Sequence, residues 1–319
     1  MASSLRSFVG RDMAVDLGTS TTQVHARGRD VVFTLPTHPA DASGPTPVRG
    51  GVIADFDACV DLLRAAVWQV HQRRYLARPR MLLAVPALTT AVERRAVKEA
   101  AYQAGAREVV LVDAPLMAAL GAGLPVHRPA GTMVVTLGAG LTEIAVLSLG
   151  GVVASTSARV SGADLDRSIS SWLRAERGLV VAEELARELK LELGTAWPLA
   201  DAATREITSR DISGMTRDAT VAGGDLRRAL AAPLADIVEA IGTMLDTTPG
   251  LGDNIRDHGL VIAGGGAQLP GLDTLLSHEL ELPVLVAPDP VHAVVVGTGR
   301  CVDDAELLRT VVRTARSAA

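Results

Sequence analysis

Aromatic side chains are scarce in this chain, with 3 Trp, 2 Tyr and 3 Phe among 319 residues. Its cores must therefore be filled by Ala, Val and Leu. The 48% hydrophobic content is nonetheless too high for a disordered chain. Cysteine is almost missing. Cys59 and Cys301 stand far apart in no metal-binding or redox spacing, which excludes a disulfide framework and fits a reducing compartment. There is no excess of positive charge either. The formal net charge of −5 provides no global field for nucleic acid or an anionic membrane, so contact with either requires a local basic patch. A long apolar run is also lacking. The most apolar stretch, residues 133–154, is broken by Gly138, Gly140, Glu143, Gly150 and Gly151 and alternates like strands, which excludes a spanning helix there. The first residues lack the apolar core and cleavage-like site of a secretory leader. These absences predict an intracellular protein, and the length suffices for two packed domains.

What is present is a motif written twice. MAVDLGTSTTQV at 13–24 and MVVTLGAGLTEI at 133–144 align at a constant offset of 120 positions (136 − 16). Met13, Val15, Leu17, Gly18, Thr22 and Val24 pair with Met133, Val135, Leu137, Gly138, Thr142 and Ile144, so an apolar strand, a Gly turn and a second strand recur as one unit. A single copy reads as an ordinary β-hairpin. Two copies in register, each opening a half of the chain, read as a pair of phosphate clamps. Gly is needed where φ is positive or where the backbone approaches an anion, and successive N–H groups with Thr or Ser hydroxyls form a nest for phosphate oxygens. The candidate ligand groups are Asp16, Gly18, Thr19, Ser20 and Thr21 in the first copy. In the second they are Gly138, Ala139, Gly140, Leu141 and Thr142.

Between and after the clamps, strand-like and helix-like segments alternate. Residues 36–51 are rich in Pro and Gly and predict a short connector. Helical spacing follows at 55–71, with Asp55 or Asp57 as N-cap. MLLAV at 81–85 and EVVLVD at 108–113 read as buried strands, separated by a helix that opens on a Thr90/Glu93 capping box and ends near Gly105. A small-residue helix runs to Gly123. The second half continues with a strand at 150–160, helices near 163–176 and 182–194, a polar irregular stretch at 198–224 and a helix at 225–246. GLVIAGGGAQLPGL at 259–272 then delivers three glycines to the carboxyl end of a strand, where open α/β sheets bind ligands. Buried Val and Leu runs alternating with helices predict a mainly parallel, helix-covered sheet in each half.

These words resemble the actin and heat-shock chaperone ATPase superfamily, and within it the bacterial actins of the MreB/Mbl family. DLGTSTT at 16–22 is similar to the first phosphate loop, VERRAVKEAAYQAGAREVVLVDAPLMAALGAGLP at 92–125 to the central strand–helix block, and SLGGVVASTSARVSGADLD at 148–166 to the entry into subdomain IIB. AGGGAQLPGLDTLL at 263–276 resembles the adenosine loop, and GVIADFD at 51–57 the return from subdomain IB. The resemblance implies an α/β fold of duplicated actin-like (ribonuclease H-like) domains with mixed, mainly parallel sheets around a nucleotide cleft. Its expected division is domain I at 1–130 and domain II at 131–319, with IIA at 131–161 and 245–303, IIB at 162–244 and a C-terminal helix at 304–316. Three departures accompany it. Only a loop at 25–50 stands where the family builds subdomain IB, so IB is expected to be reduced or absent. The family's Mg-site Asp is Thr136, and one loop Gly is Ala139. The Glu that positions the attacking water, just before the proline equivalent to Pro115, is Ala114.

Phosphoryl transfer to water needs an oriented nucleophile and a metal on the phosphate oxygens. By the resemblance, Asp16 still offers a carboxylate to Mg2+ through water, and the Gly turns still hold ATP or ADP. With Ala114 and Thr136 at the two degenerate positions the expectation is binding with weak or lost hydrolysis, because one positioning group is worth roughly two to four powers of ten in rate. Arg187 and Lys190 match the helix pair beside adenine, opposite Gly264, Gly265, Gly266 and Ala267; on their residues alone they also read as a solvated cationic face. Asp164 either reaches the cleft or stabilises a helix dipole. Leu5 and Phe8 near the N-terminus, and Tyr75 and Leu76 among the arginines of 71–80, are candidate membrane contacts; the loop equally reads as a surface turn with Leu76 inward.

The implied role is a membrane-associated scaffold for cell shape and cell-wall synthesis, cytoplasmic and peripheral at the inner membrane. Its implied partners are itself or an MreB paralogue, together with wall-synthesis and scaffold proteins, and not nucleic acid. The alternatives are an active polymerising ATPase, a nucleotide-free adaptor to a longer actin paralogue, and a small-molecule kinase of the superfamily.

Overall fold

Both copies of the repeated motif open a five-stranded sheet, and the two sheets have one topology. The computed structural model describes residues 10–29, 32–38, 44–71, 77–199, 202–248 and 250–317. Leu5, Phe8, Tyr75 and Leu76 lie outside these. Sheet I contains β1 (Met13–Leu17), β2 (Thr21–Ala26) and β3 (Val32–Pro36), joined by β6 (Arg80–Val85) and β7 (Glu108–Asp113) in the order β3-β2-β1-β6-β7. Between β3 and β6 lies a two-stranded ladder of β4 (Val48–Arg49) and β5 (Val52–Ile53). Sheet II repeats the plan with β8 (Thr132–Leu137), β9 (Thr142–Ser148), β10 (Gly151–Ala158), β14 (Leu260–Ala263) and β15 (Val284–Val286), ordered β10-β9-β8-β14-β15. In each sheet the first three strands are antiparallel and the last two run parallel to the opening strand.

Strand alternation sorts the side chains of both copies in the same way. Met13, Val15 and Leu17 face a core with α1 (Phe56–His71) and α2 (Ala91–Gln103). Met133, Val135 and Leu137 face a core with α4 (Gly162–Arg177), α5 (Glu183–Leu193), α6 (Gly223–Thr247), α7 (Gly252–His258) and α8 (Leu272–Leu280). Ala14 and Val134 turn the other way, into a shared central layer built by α3 (Ala114–Gly121), α9 (Ala293–Asp303) and α10 (Ala305–Ser317). Leu308 and Val311 of α10 are buried in that layer, so the last helix docks on its own chain.

The crossing of α3 and α9 is made by glycine. A Cβ on Gly297 would collide with the carbonyl oxygen of Met117, and one on Gly121 with that of Ala293. α1 is capped by Asp55, whose Oδ1 accepts from Ala58 N–H at 2.9 Å. The predicted capping box at Thr90 and Glu93 is present.

Two segments differ from their sequence reading. Residues Val32–Pro36, inside the stretch read as a loop at 25–50, form β3, because Phe33 and Leu35 pack on the outer core of sheet I. What remains before α1 is the β4–β5 ladder, turned by Gly50 (φ +59°) and Gly51 (φ +79°); two successive positive φ values suit a tight hairpin. Among the described residues this ladder is all the regular structure between β3 and α1. The polar stretch 198–224 holds a regular hairpin, β12 (Thr204–Asp211) and β13 (Thr216–Ala222), paired with β11 (Leu179–Val180). Only Ile207, Ser209 and Val221 of it are buried, so its alternation is written mostly in polar residues. No helix among the described residues is long and apolar enough to cross a membrane.

Candidate functional site

The two Gly turns meet. Gly18–Ser20 joins β1 to β2, Gly138–Leu141 leaves β8 for β9, and a Cβ built on Gly140 would lie 2.8 Å from Thr19 Cβ and closer still to its hydroxyl. None of Gly18, Gly138 and Gly140 has a positive φ. Close backbone approach is the reason for glycine here: a Cβ would come within 2.5 Å of Thr21 O at Gly18 and 2.9 Å of Leu141 O at Gly138.

In each turn two carbonyls are bonded by a segment that follows the sheet's third strand. After β3, Thr37 donates its hydroxyl to Gly18 O at 2.7 Å and its N–H to Ser20 O at 3.0 Å, and its hydroxyl also meets that of Thr22 at 3.0 Å. After β10, Gly162 N–H donates to Gly138 O and Ala163 N–H to Ala139 O, both at 2.9 Å. The N–H groups of Thr19, Ser20, Ala139 and Gly140 donate to no backbone carbonyl among the described residues. Two touching turns whose N–H groups no backbone carbonyl uses fit an anion such as a polyphosphate. Gly50 and Gly51 close one side: Gly51 N–H donates to Thr19 Oγ1 at 3.4 Å, and its Cα faces Pro86 and Leu141.

The carboxylates around this nest are few. Asp16 shares the inward face of sheet I with Ala14, and burial raises its pKa to about 6. Its repeat counterpart, Thr136, offers a hydroxyl that donates to Glu143 O at 3.4 Å. Glu143, across the ladder from Thr136, is 3% exposed and accepts from Ala87 N–H at 2.6 Å. Burial foremost, with Asp113 adding to it, raises its pKa to about 7, against the opposing pull of the Ala87 bond and Arg94. Asp113 is paired with Arg94 at 2.7 Å, while Ala114 opens α3 on the central-layer side. No three His, Cys, Asp or Glu side chains converge among the described residues. Asp16 offers a single carboxylate, so a Mg2+ here would be held by it together with waters and phosphate oxygens.

The remaining predicted residues separate. Arg187 of α5 donates from Nη2 to Ser20 Oγ at 3.3 Å, so it reaches the first turn. Lys190 pairs with Asp166 at 2.6 Å and donates to Gly162 O at 2.9 Å. Asp164 caps α4: it accepts from Ser161 N–H at 2.8 Å and Ser161 Oγ at 2.5 Å, and pairs with Arg167. Although burial opposes it, these bonds hold its carboxyl below the usual range. Gly264 (φ +85°) and Gly266 are required by packing on Leu137, whereas Gly265 has open space beside it. Ala267 and Thr142 are buried at 4% and 1% exposure and present no surface to a ligand. Thr21 lies at the start of β2, partly exposed.

Two residues of this site escape a sequence reading. Thr37 sits in a Pro/Gly-rich stretch with no signal beyond its following β3. Gln23 is signalled by the repeat, as the counterpart of Glu143: it is 3% exposed, donates to Val291 O at 3.1 Å, and leaves Oε1 without a partner opposite Asp16.

A family profile described as MreB/Mbl protein matches residues 37–310. The cell shape-determining protein MreB of Escherichia coli K12 is 36% identical over 95% of this chain and 96% of its own length. The cell shape-determining protein Mbl of Bacillus subtilis 168 is 35% identical over 93% and 97%. MreB5 of Spiroplasma citri superimposes with a TM-score of 0.85 as the ADP-bound structure (27% identity, 92% of this chain and 96% of that one). The AMPPNP-bound structure of the same protein gives 0.87 (26% identity, 95% and 98%). A MamK double helical filament shares the fold at a TM-score of 0.76 and 21% identity, covering 92% of this chain and 99% of that one.

Proposed function

The chain belongs to the MreB/Mbl family of cell shape-determining cytoskeletal proteins, and on that premise we propose that it is a filament-type scaffold whose two Gly turns hold the phosphates of ATP or ADP while hydrolysis is slow or lost. The observation that carries the reading is the contact of the turn at Thr19 with the turn at Gly140, each with two carbonyls bonded to a following segment and with N–H groups that no backbone carbonyl uses among the described residues. In this role Gly18, Thr19, Ser20, Gly138, Ala139 and Gly140 bind phosphate, and Gly265 borders the base. Ala114 and Thr136 leave the attacking water without a carboxylate to orient it, since Asp113 and Glu143 are engaged elsewhere.

The chain is taken to divide near residue 130 into two actin-type domains. Its partners are further copies or a longer paralogue, and wall-synthesis proteins. A position at the inner face of the membrane is supported by Arg27, Arg80 and Arg107, which gather on Asp12 at 3.6, 2.9 and 3.1 Å, with Glu108 also 3.6 Å from Arg107, so that this end of sheet I keeps an excess of positive charge. Calorimetry with ATP and ADP, paired with a phosphate-release assay, tests the core of this. Binding is expected with turnover at least about a hundredfold below that of an active actin, and turnover at an active actin's rate overturns it.

A further inference from the structure

The charge that opposes the bound phosphates need not come from a metal in this chain. We propose that it is the guanidinium of Arg187, so that nucleotide is held without Mg2+. The proposal rests on the reading that the Gly turns hold phosphate.

Arg187 lies on α5, in the second half of the chain, yet its Nη2 donates to Ser20 Oγ of the first turn at 3.3 Å. Whatever phosphate oxygen that turn holds is within reach of the same guanidinium, whose planar fork of five donors suits two phosphate oxygens at once. Its charge is also uncommitted. Among the described residues no carboxylate lies within ion-pair distance of Arg187, although Glu183, Glu184 and Glu188 share its helix; Glu188 is taken by Arg205 at 2.8 Å. Lys190, one turn on, is by contrast neutralised by Asp166 at 2.6 Å. α5 therefore directs one free cation, and one only, at the nest.

The metal's place is correspondingly weak. Thr136, the repeat counterpart of Asp16, offers a hydroxyl in place of a carboxylate, and Glu143 is bound to Ala87 N–H. Mg2+ is bound through one or two carboxylates together with waters and phosphate oxygens, and of the paired positions Asp16 and Thr136 one alone carries a carboxylate.

The test is calorimetry of the full chain with ADP, in Mg2+ and in EDTA, for the wild type, Arg187→Ala and Arg187→Lys, with adenosine as the phosphate-free probe. The wild-type Kd for ADP is expected to change by less than about threefold between the two buffers. Arg187→Ala is expected to lose about ten- to hundredfold in ADP affinity, the worth of a charge-assisted hydrogen bond or two, with adenosine affinity unmoved and Arg187→Lys intermediate. Wild-type binding that needs Mg2+, or an Arg187→Ala variant that binds ADP as the wild type does, overturns the proposal while leaving the phosphate-holding turns intact. No ADP binding in either buffer overturns both. The wild-type comparison stands even if a variant fails to fold.

Discussion

Thr37 holds Gly18 by its carbonyl, Oγ1 to O at 2.7 Å, across a sequence gap that contains two strands of sheet I. The bond fixes the Gly18–Thr19 peptide, whose N–H lies on the side opposite its carbonyl. Thr37→Val keeps the shape, removes the donor and leaves Gly18 O and the Thr22 hydroxyl without it. ADP affinity is expected to fall about five- to tenfold, on the scale of one buried hydrogen bond, and Thr37→Ser is expected to restore it. Equal affinities for Thr37→Val and wild type in calorimetry would remove Thr37 from the site.

The central layer makes a stability prediction. Because a Cβ at Gly297 meets the carbonyl of Met117, a backbone atom that cannot rotate away, Gly297→Ala must push α9 off α3. Overpacking of this kind costs about 1–3 kcal/mol or more. Urea denaturation should show a lowered midpoint at unchanged slope, whereas Gly123→Ala, with open space around its Cβ, tests only the strain of its positive φ. A Gly297→Ala midpoint at the wild-type value would mean that the two helices are not packed this closely.

Glu143 makes stability depend on pH. Its carboxyl has a folded pKa of about 7 against an ordinary 4.5. Below about 4.5 both folded and unfolded states are protonated and no penalty exists. Between about 4.5 and 7 the unfolded state releases its proton while the folded state keeps it, so stability falls as pH rises, and above 7 the loss is constant. Glu143→Gln retains an oxygen for Ala87 N–H and cannot ionise. Its stability relative to wild type is therefore expected to grow across that window and level off at a few kcal/mol at most. A difference that stays flat from pH 4 to about 8 would mean that the carboxyl is not buried as described.

Much of the fold is legible in the residues themselves. The offset between Met13 and Met133 announces two equivalent units, whereas Ala14/Val15 and Val134/Val135, apolar on both sides, leave the faces to the structure. The capping box at Thr90 needs no coordinates, and the reading of Ala114 and Thr136 as departures comes from the family resemblance. Less legible were β3, where Pro36 and the following prolines outweigh three apolar residues, and the β12–β13 hairpin, whose exposed face and thin core make both sides polar. The reason for glycine in the turns was legible as a pair of alternatives, and close approach rather than positive φ proved to be the one used.

The sequence by itself determined the repeated strand–turn–strand unit and the order of its elements, because backbone preference and side-chain alternation act over a few neighbouring positions. Only the tertiary structure decided that Thr37 ties back Gly18, that Thr19 meets Gly140, that Arg187 reaches Ser20 while Lys190 is spent on Asp166, and that Asp164 is a cap. Each of those depends on which distant segments the packing of two sheets about α3 and α9 brings within a few ångströms, and no local pattern encodes that distance.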